Sequence, residues 1–266
     1  MVTKKRNALL ICCGMSMFSP DSKLATRVVP SPNHDERRVP IDAIILHYTG
    51  MQSADAALAR LCDAEAKVSS HYFVDEDGAI AQLVPEARRA WHAGVSSWQG
   101  ASDLNSRSIG IEIVNPGHDF GYPDFPAKQI DAVIALCRSI LTRHLIRPEN
   151  IVAHSDVAPS RKNDPGEKFP WAKLSKAGVG LWVEPSKIVP GPELDPGDRS
   201  QFVRTMQGWL SDFGYAVTVN GEFDTATKEA VTAFQRHFRP ARVDGIADHS
   251  TVETLKRLLA AREALT

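Results

Sequence analysis

Apolar and polar positions change their period several times along the chain, and each change marks an element. Residues 41–49, Ile-Asp-Ala-Ile-Ile-Leu-His-Tyr-Thr, are rich in β-branched side chains, the pattern of a buried strand. Ser53 is placed to cap a helix over 54–68, where Ala and Leu dominate. Between His71 and Val84 two apolar runs flank Asp77-Gly78, which predicts a hairpin. Residues 85–107 show no period and are expected to be a long irregular segment, of the kind that often carries function. Ser108 to Asn115 reads as another strand. Pro126 opens a helix in which Ile130, Val133, Ile134, Cys137, Ile140 and Leu141 recur at helical spacing. Pro148 ends it, and residues 150–154 read as a short strand. Strands alternating with helices predict an α/β unit, a mixed central sheet covered on both faces. Residues 27–38 are polar and proline-bearing, an irregular lead-in.

The pattern changes after residue 182. Pro185, Pro190, Pro192 and Pro196, with Gly191 and Gly197 among them, give 183–198 a linker composition. Beyond it only helical periods appear, over 200–213, 225–238 and 249–261. The turns Val219-Asn-Gly-Glu-Phe-Asp224 and Val243-Asp-Gly-Ile-Ala-Asp248 are alike, and each leads into a Thr-bearing helix, a weak internal repeat. The expected organisation is an N-terminal segment (1–27), an α/β unit (28–182), a linker (183–198) and a small three-helix domain (199–266).

Composition narrows the function classes. The 266 residues suffice for two modest cores, and 43% hydrophobic with 24% charged is ordinary for a globular chain. A formal net charge of −1 gives no global field toward nucleic acid, so no nucleic-acid partner is expected. No apolar run reaches the roughly 18 residues that span a bilayer. Cys12, Cys13, Cys62 and Cys137 form no C-x-x-C pair, which argues against a thiolate zinc knuckle. Cys62 and Cys137 read as small core residues, and a disulfide between them has no sequence support. Lys4, Lys5 and Arg6 precede the apolar stretch Ala8 to Phe18, which resembles a signal peptide. No small-x-small cleavage site follows closely, Met15 and Met17 are alternative starts, and a lipid anchor at Cys12 or Cys13 lacks the small residue expected before it. The nine histidines are unusual, because His is the commonest metal ligand.

Three of the chemistry-bearing residues stand out by position. His47 lies near the end of the first strand, His154 at the end of the last, and Asp164 ten residues later. Strand ends are where sites gather in α/β sheets. Two imidazoles and one carboxylate make a zinc set that leaves a position open for water. By spacing alone the signal is weak: a lone strand histidine is more often structural, and Asp164 before Pro165 reads equally as a turn residue. His34, His118, His144, His237 and His249 take the structural reading.

The motifs Ile45-Leu-His-Tyr-Thr49, Ser70-His-Tyr-Phe-Val74, Trp91-His-Ala-Gly94, Ser108-Ile-Gly-Ile-Glu-Ile-Val-Asn115 and His154-Ser-Asp156 with Arg161-Lys-Asn-Asp-Pro-Gly166 occur in that order. Together they closely resemble the zinc N-acetylmuramoyl-L-alanine amidases, a family that includes phage lysozyme-type amidases and animal peptidoglycan recognition proteins. The resemblance spans about 28–182. It implies one Zn2+ per chain, held by His47, His154 and Asp164 in the pattern of the bacterial branch, where some relatives place Cys third. It implies Glu112 as the catalytic glutamate and Lys162 as a lysine near the zinc. Ser70 stands where phage-type relatives use a tyrosine, so that role falls to Glu112. His71, Trp91 and His92 match positions that shape the site, and with Asn105 and Arg107 they are the candidates for substrate contact.

The implied chemistry suits these residue types. Zinc lowers the pKa of a bound water toward about 7. Glu112 would take the proton and pass it to the leaving amine, and Lys162 would place positive charge near the oxyanion. Glu112 sits among Ile109, Gly110, Ile111 and Ile113, where an unpaired carboxylate is expensive. Trp91, Trp98 and Trp171 are candidates for a groove, though at least two are expected in the core.

Residues 200–261 resemble the three-helix peptidoglycan-binding domain. The match rests on Met206-Gln-Gly-Trp-Leu210, Gly214-Tyr215, Asn220-Gly-Glu-Phe-Asp224, Thr227, Ala233-Phe-Gln235, Asp244-Gly245 and Thr251. The implied function is hydrolysis of the amide between N-acetylmuramic acid and L-alanine in peptidoglycan or muropeptides, with wall anchoring by the C-terminal domain. Two alternatives stay open: a non-catalytic peptidoglycan-binding protein, which would typically lack part of the zinc set, and a zinc peptidase on the stem peptide, though H-E-x-x-H is absent. Anchoring favours polymer, because tethering raises effective concentration. That points to the cell envelope, periplasmic or outer-membrane-associated, with a cytoplasmic role as the alternative. The protein is expected to act as a monomer.

Overall fold

The computed structural model describes residues 18–265. The basic and apolar segment before Phe18, with Cys12 and Cys13, lies outside the described residues. The elements are β1 (Arg27–Val28), β2 (His34–Glu36), β3 (Ala43–Tyr48), α1 (Ala54–Leu61), β4 (Tyr72–Val74), β5 (Ile80–Gln82), β6 (Arg88–Ala90), α2 (Leu104–Arg107), β7 (Ser108–Ile113), α3 (Ala127–Leu141), β8 (Ile151–Ala153), α4 (His154–Val157), α5 (Trp171–Lys176), α6 (Gln201–Phe213), α7 (Thr225–Phe238) and α8 (His249–Glu263). Six strands form one mixed sheet in the order β1-β5-β4-β7-β3-β8, and β2 pairs with β6 in a two-stranded ribbon. Strands β4, β7, β3 and the edge strand β8 run parallel, with His47 opposite Glu112 across β3 and β7.

Alternation along these strands decides what each face does. Ile44 and Leu46, Ile109, Ile111 and Ile113, and Ile151 and Ala153 pack into one core with α3 and α5. The intervening residues therefore point to the other face. They are Ile45 and His47 on β3, Ser108, Gly110 and Glu112 on β7, and Val152, with His154 following it. The period of two thus gathers two imidazoles and a carboxylate on one side of the sheet.

The predicted strands and hairpin are present, and several expectations are corrected. The lead-in is not wholly irregular, because it supplies β1 at the sheet edge and β2. The segment 85–107 contains β6 and α2. Helix α1 keeps Ser53 as its cap but stops at Leu61, since Asp63 caps a following 3-10 turn instead. α3 ends at Leu141, and Pro148 opens a short 3-10 turn. Cys137 lies in the core beneath α3, whereas Cys62 packs in the separate cluster around α1 and its thiol donates to the Val29 carbonyl.

The C-terminal repeat has a physical content. The side-chain oxygen of Gln207 accepts from the backbone of Asn220 and Gly221, and its amide donates to Thr227. Gln235 does the same with Asp244, Gly245 and Thr251. Asp224 and Asp248 then cap α7 and α8. Phe213, Phe223, Phe234 and Leu255 form the core of the three helices, and that core is continuous with Ile45, Ala93, Trp98, Val152 and Val157 of the α/β part. Trp98 and Trp171 are both buried, leaving Trp91 as the tryptophan of the three that lines a cavity.

Candidate metal centre

His47 leaves the end of β3, His154 begins α4 after β8, and Asp164 comes from the loop beyond α4. All three are buried. His47 Nδ1 and His154 Nδ1 stand 2.9 Å apart, and each lies 3.0 Å from Asp164 Oδ2. Among the described residues these three form a cluster of metal-ligand character.

The outer partners fix which nitrogens carry protons. The Leu104 carbonyl can only accept, so the Ser108 hydroxyl donates to it at 2.5 Å. Ser108 Oγ then accepts from His92 Nε2 at 3.3 Å, leaving His92 Nδ1 to accept from His47 Nε2 at 3.1 Å. His154 Nε2 likewise donates to the Ala93 carbonyl at 3.2 Å. In the neutral form of each ring, Nδ1 would then present its lone pair to the other ring and to the carboxylate. Burial and the neighbouring His154 lower the His47 pKa to about 4, so this imidazole is neutral at pH 7. Burial works against a charged Asp164, but the adjoining His154 and His47 outweigh it and hold the carboxyl below its usual range. Two imidazole nitrogens and a carboxylate oxygen converging at this spacing are a donor set that a divalent cation satisfies.

The cluster opens into a cavity of about 370 Å³ lined also by Trp91, His92, Glu112 and Lys162. Glu112 Oε2 is buried without a hydrogen-bond partner. Burial, reinforced by the Asp164 charge and opposed by Lys162, raises the Glu112 pKa well above the ordinary value. The stretch 91–95 is held from two sides. Asn105 Oδ1 accepts from the backbone of His92 and Ala93, and Arg161 donates to the Ala93 and Val95 carbonyls. Gly110 makes room for the His92 ring, since a Cβ there would sit 2.4 Å from it.

Not every candidate reaches the cavity. His71 is fully buried, bonded to Arg37 and to the Gly110 amide. Asn105 spends its oxygen under the loop, and Arg107 pairs with Asp42 at 2.6 Å at the start of β7, the end of the strand away from Glu112. Met51, Arg60 and Asp119 line the cavity and were not singled out from the sequence. Arg60 occupies the polar side of α1, a position that local pattern alone reads as a solvated surface.

Two imidazoles, a carboxylate held below its usual range and an unpaired glutamate around an open cavity make a candidate metal centre on an α/β sheet. Residues 37–167 match the family described as N-acetylmuramoyl-L-alanine amidase, and residues 199–255 match a putative peptidoglycan binding domain. The N-acetylmuramoyl-L-alanine amidase AmiD of Escherichia coli is 37% identical over 238 residues, 82% of each chain. Its solved complex with the substrate anhydro-N-acetylmuramic acid-L-Ala-D-gamma-Glu-L-Lys superposes with a TM-score of 0.71, covering 83% of this chain and 89% of that one. AmpDh3 of Pseudomonas aeruginosa, solved with an anhydromuramic pentapeptide, is 30% identical with a TM-score of 0.67 and coverages of 93% and 98%. The 1,6-anhydro-N-acetylmuramyl-L-alanine amidase AmpD of Escherichia coli, 35% identical, matches 57% of this chain along 91% of its own length. The chain belongs to the N-acetylmuramoyl-L-alanine amidase family, and its enzymatic class is that of an amidase acting on peptidoglycan.

Proposed function

We propose that residues 28–182 form a zinc-dependent amidase unit that cleaves the bond between N-acetylmuramic acid and L-alanine, while residues 199–266, joined through 183–198, hold the enzyme on wall polymer. The observation that carries this reading is the convergence of His47 Nδ1, His154 Nδ1 and Asp164 Oδ2 beside the unpaired Glu112 oxygen. Donors about 2.0 Å from a tetrahedral zinc stand roughly 3.3 Å apart, close to the spacing present, so the residues fit one ion per chain. Zinc bound there supplies an activated water and polarises the scissile carbonyl. Glu112, facing the same cavity, accepts the proton of the attacking water and delivers it to the leaving amine of L-alanine. Lys162 adds positive charge where the oxyanion develops. Asn105 and Arg107 act on the loop and the strand rather than on substrate, and Trp91, which lines the cavity, is the tryptophan placed to contact the ligand.

The binding-protein alternative is disfavoured because all three ligand positions are filled and paired. The muropeptides bound in the AmiD and AmpDh3 structures support a peptidoglycan-derived ligand. Among the described residues no helix is long and apolar enough to cross a membrane. The C-terminal unit supports action on polymer at the cell envelope.

The test is digestion of purified sacculi and of a soluble anhydro-muropeptide, read by mass spectrometry. We expect muramic-acid glycan and peptides beginning with L-Ala, loss of turnover on chelation, and recovery with zinc. Peptides released without freeing the lactyl group would establish the stem-peptide peptidase instead, and binding without release would establish the binding protein.

A further inference from the structure

Asp156 follows the ligand His154 by two residues and is completely buried. Its Oδ2 accepts from the Ala153 amide at 2.8 Å, which closes the first turn of α4. Its remaining partners come from the C-terminal unit. The Tyr215 hydroxyl donates to Oδ1 at 2.7 Å, and His237 Nδ1 donates to Oδ2 at 2.6 Å. The His237 ring is clamped between Trp171 and Phe238, each with a centroid separation of 3.7 Å. A buried carboxylate is tolerable only while such donors are present.

A second thread leads to the same ligand. Trp98 packs edge-on against Tyr215 and Phe213 and lies so close to Gly214 that a Cβ there would be 2.8 Å from its ring. Gln99 donates its amide to the Gly214 carbonyl, and Ser97 donates to the Val157 carbonyl. Trp98 therefore anchors the loop whose other end supplies the Ala93 carbonyl to His154 Nε2 and the His92 ring to His47 Nε2. Tyr215 touches both threads at once.

We propose that the three-helix unit is a structural part of the metal centre, with Tyr215 as a positioning residue that fixes Asp156 and Trp98 and through them the orientation of His154. This goes beyond wall anchoring and rests on the reading of His47, His154 and Asp164 as zinc ligands. A domain that only tethers would leave the site's zinc affinity untouched. Outer partners that orient ligands change it, typically by ~10–100-fold.

The experiment uses the full chain. Zinc affinity is measured by competition with a chromophoric chelator, and melting temperature is measured with and without zinc. Tyr215→Phe removes one hydroxyl and keeps the ring; we expect zinc affinity about tenfold weaker and a smaller rise in melting temperature on adding zinc. Trp98→Phe, which thins the same contact from the loop side, gives the same result and serves if Tyr215→Phe does not fold. Phe223→Leu, in the same apolar core but outside the ring contacts and hydrogen bonds of Tyr215 and Trp98, lowers both melting temperatures alike and leaves affinity unchanged. Wild-type affinity in Tyr215→Phe and Trp98→Phe, with only a uniform loss of stability, overturns the proposal. Absence of stoichiometric zinc in the wild type removes the ligand reading on which it stands.

Discussion

At the scale of single residues, the Glu112 carboxyl carries the clearest conflict between stability and function. It faces a cavity beside the Asp164 charge, with one buried oxygen unpaired. Its folded pKa is raised, so the metal-free folded state binds the proton more tightly than the unfolded chain. Stability is therefore greatest below the unfolded value, about 4.3, and falls as pH rises toward the folded pKa. Glu112→Gln removes that loss. Denaturant titrations of metal-free protein should show the variant more stable than wild type at pH 7 and equal to it at pH 4. Its turnover should fall by about 10²–10⁴-fold with zinc content kept. A variant destabilised at pH 7 would mean that the carboxylate is paired and is not a free base. His47 and His154 stood out at strand ends, but with Asp164 they were legible as a ligand set only through the ordered motifs that resemble the amidase family. The role of His92 was not: the sequence offered it to substrate, whereas the structure turns its ring toward His47 and Ser108. Nothing local announces that choice, which depends on Gly110, eighteen residues downstream, lacking a Cβ.

Among the elements, strands and capped helices were readable because their signals are local. Ser53, Asp224 and Asp248 cap their helices as the residue types require. The sequence missed what holds elements to one another. Glu86, beyond the β4–β5 hairpin, is buried and accepts from Tyr72 on β4 and from Arg143 and His144 just past α3. Burial alone would raise its pKa, but the bonds from Arg143, Tyr72 and His144 prevail and the value lies below the ordinary one. The stabilisation is thus fully present above the unfolded pKa and is lost as pH falls through the folded one. Glu86→Gln should cost roughly 2–3 kcal/mol at pH 7, and the difference from wild type should shrink on acidification. A pH-independent difference in denaturant titrations would show that shape at this site matters and charge does not.

For the molecule as a whole, the proline-rich stretch 183–198 has a linker composition, and that composition does describe an irregular path. Its freedom is another matter. Ser186 exchanges hydrogen bonds with Thr254 and Ser250, Leu194 bridges to Ala247, and Gly197 bonds to Phe223. The stretch is laid along α8 and the turns of the three-helix unit. That unit in turn shares a core with Ile45, Ala93, Trp98, Val152 and Val157. Pairs such as Asp156 with Tyr215 or His237 join residues far apart in sequence, so no local period signals them. Two bodies on a flexible linker unfold separately, each with its own enthalpy. A continuous apolar core with buried polar bonds across it makes either half unstable once the other opens. Calorimetry of the full chain should show one transition whose van't Hoff and calorimetric enthalpies agree. Two resolved transitions would mean that the shared core contributes too little to couple the halves, and the wall-binding unit would then be a tether after all.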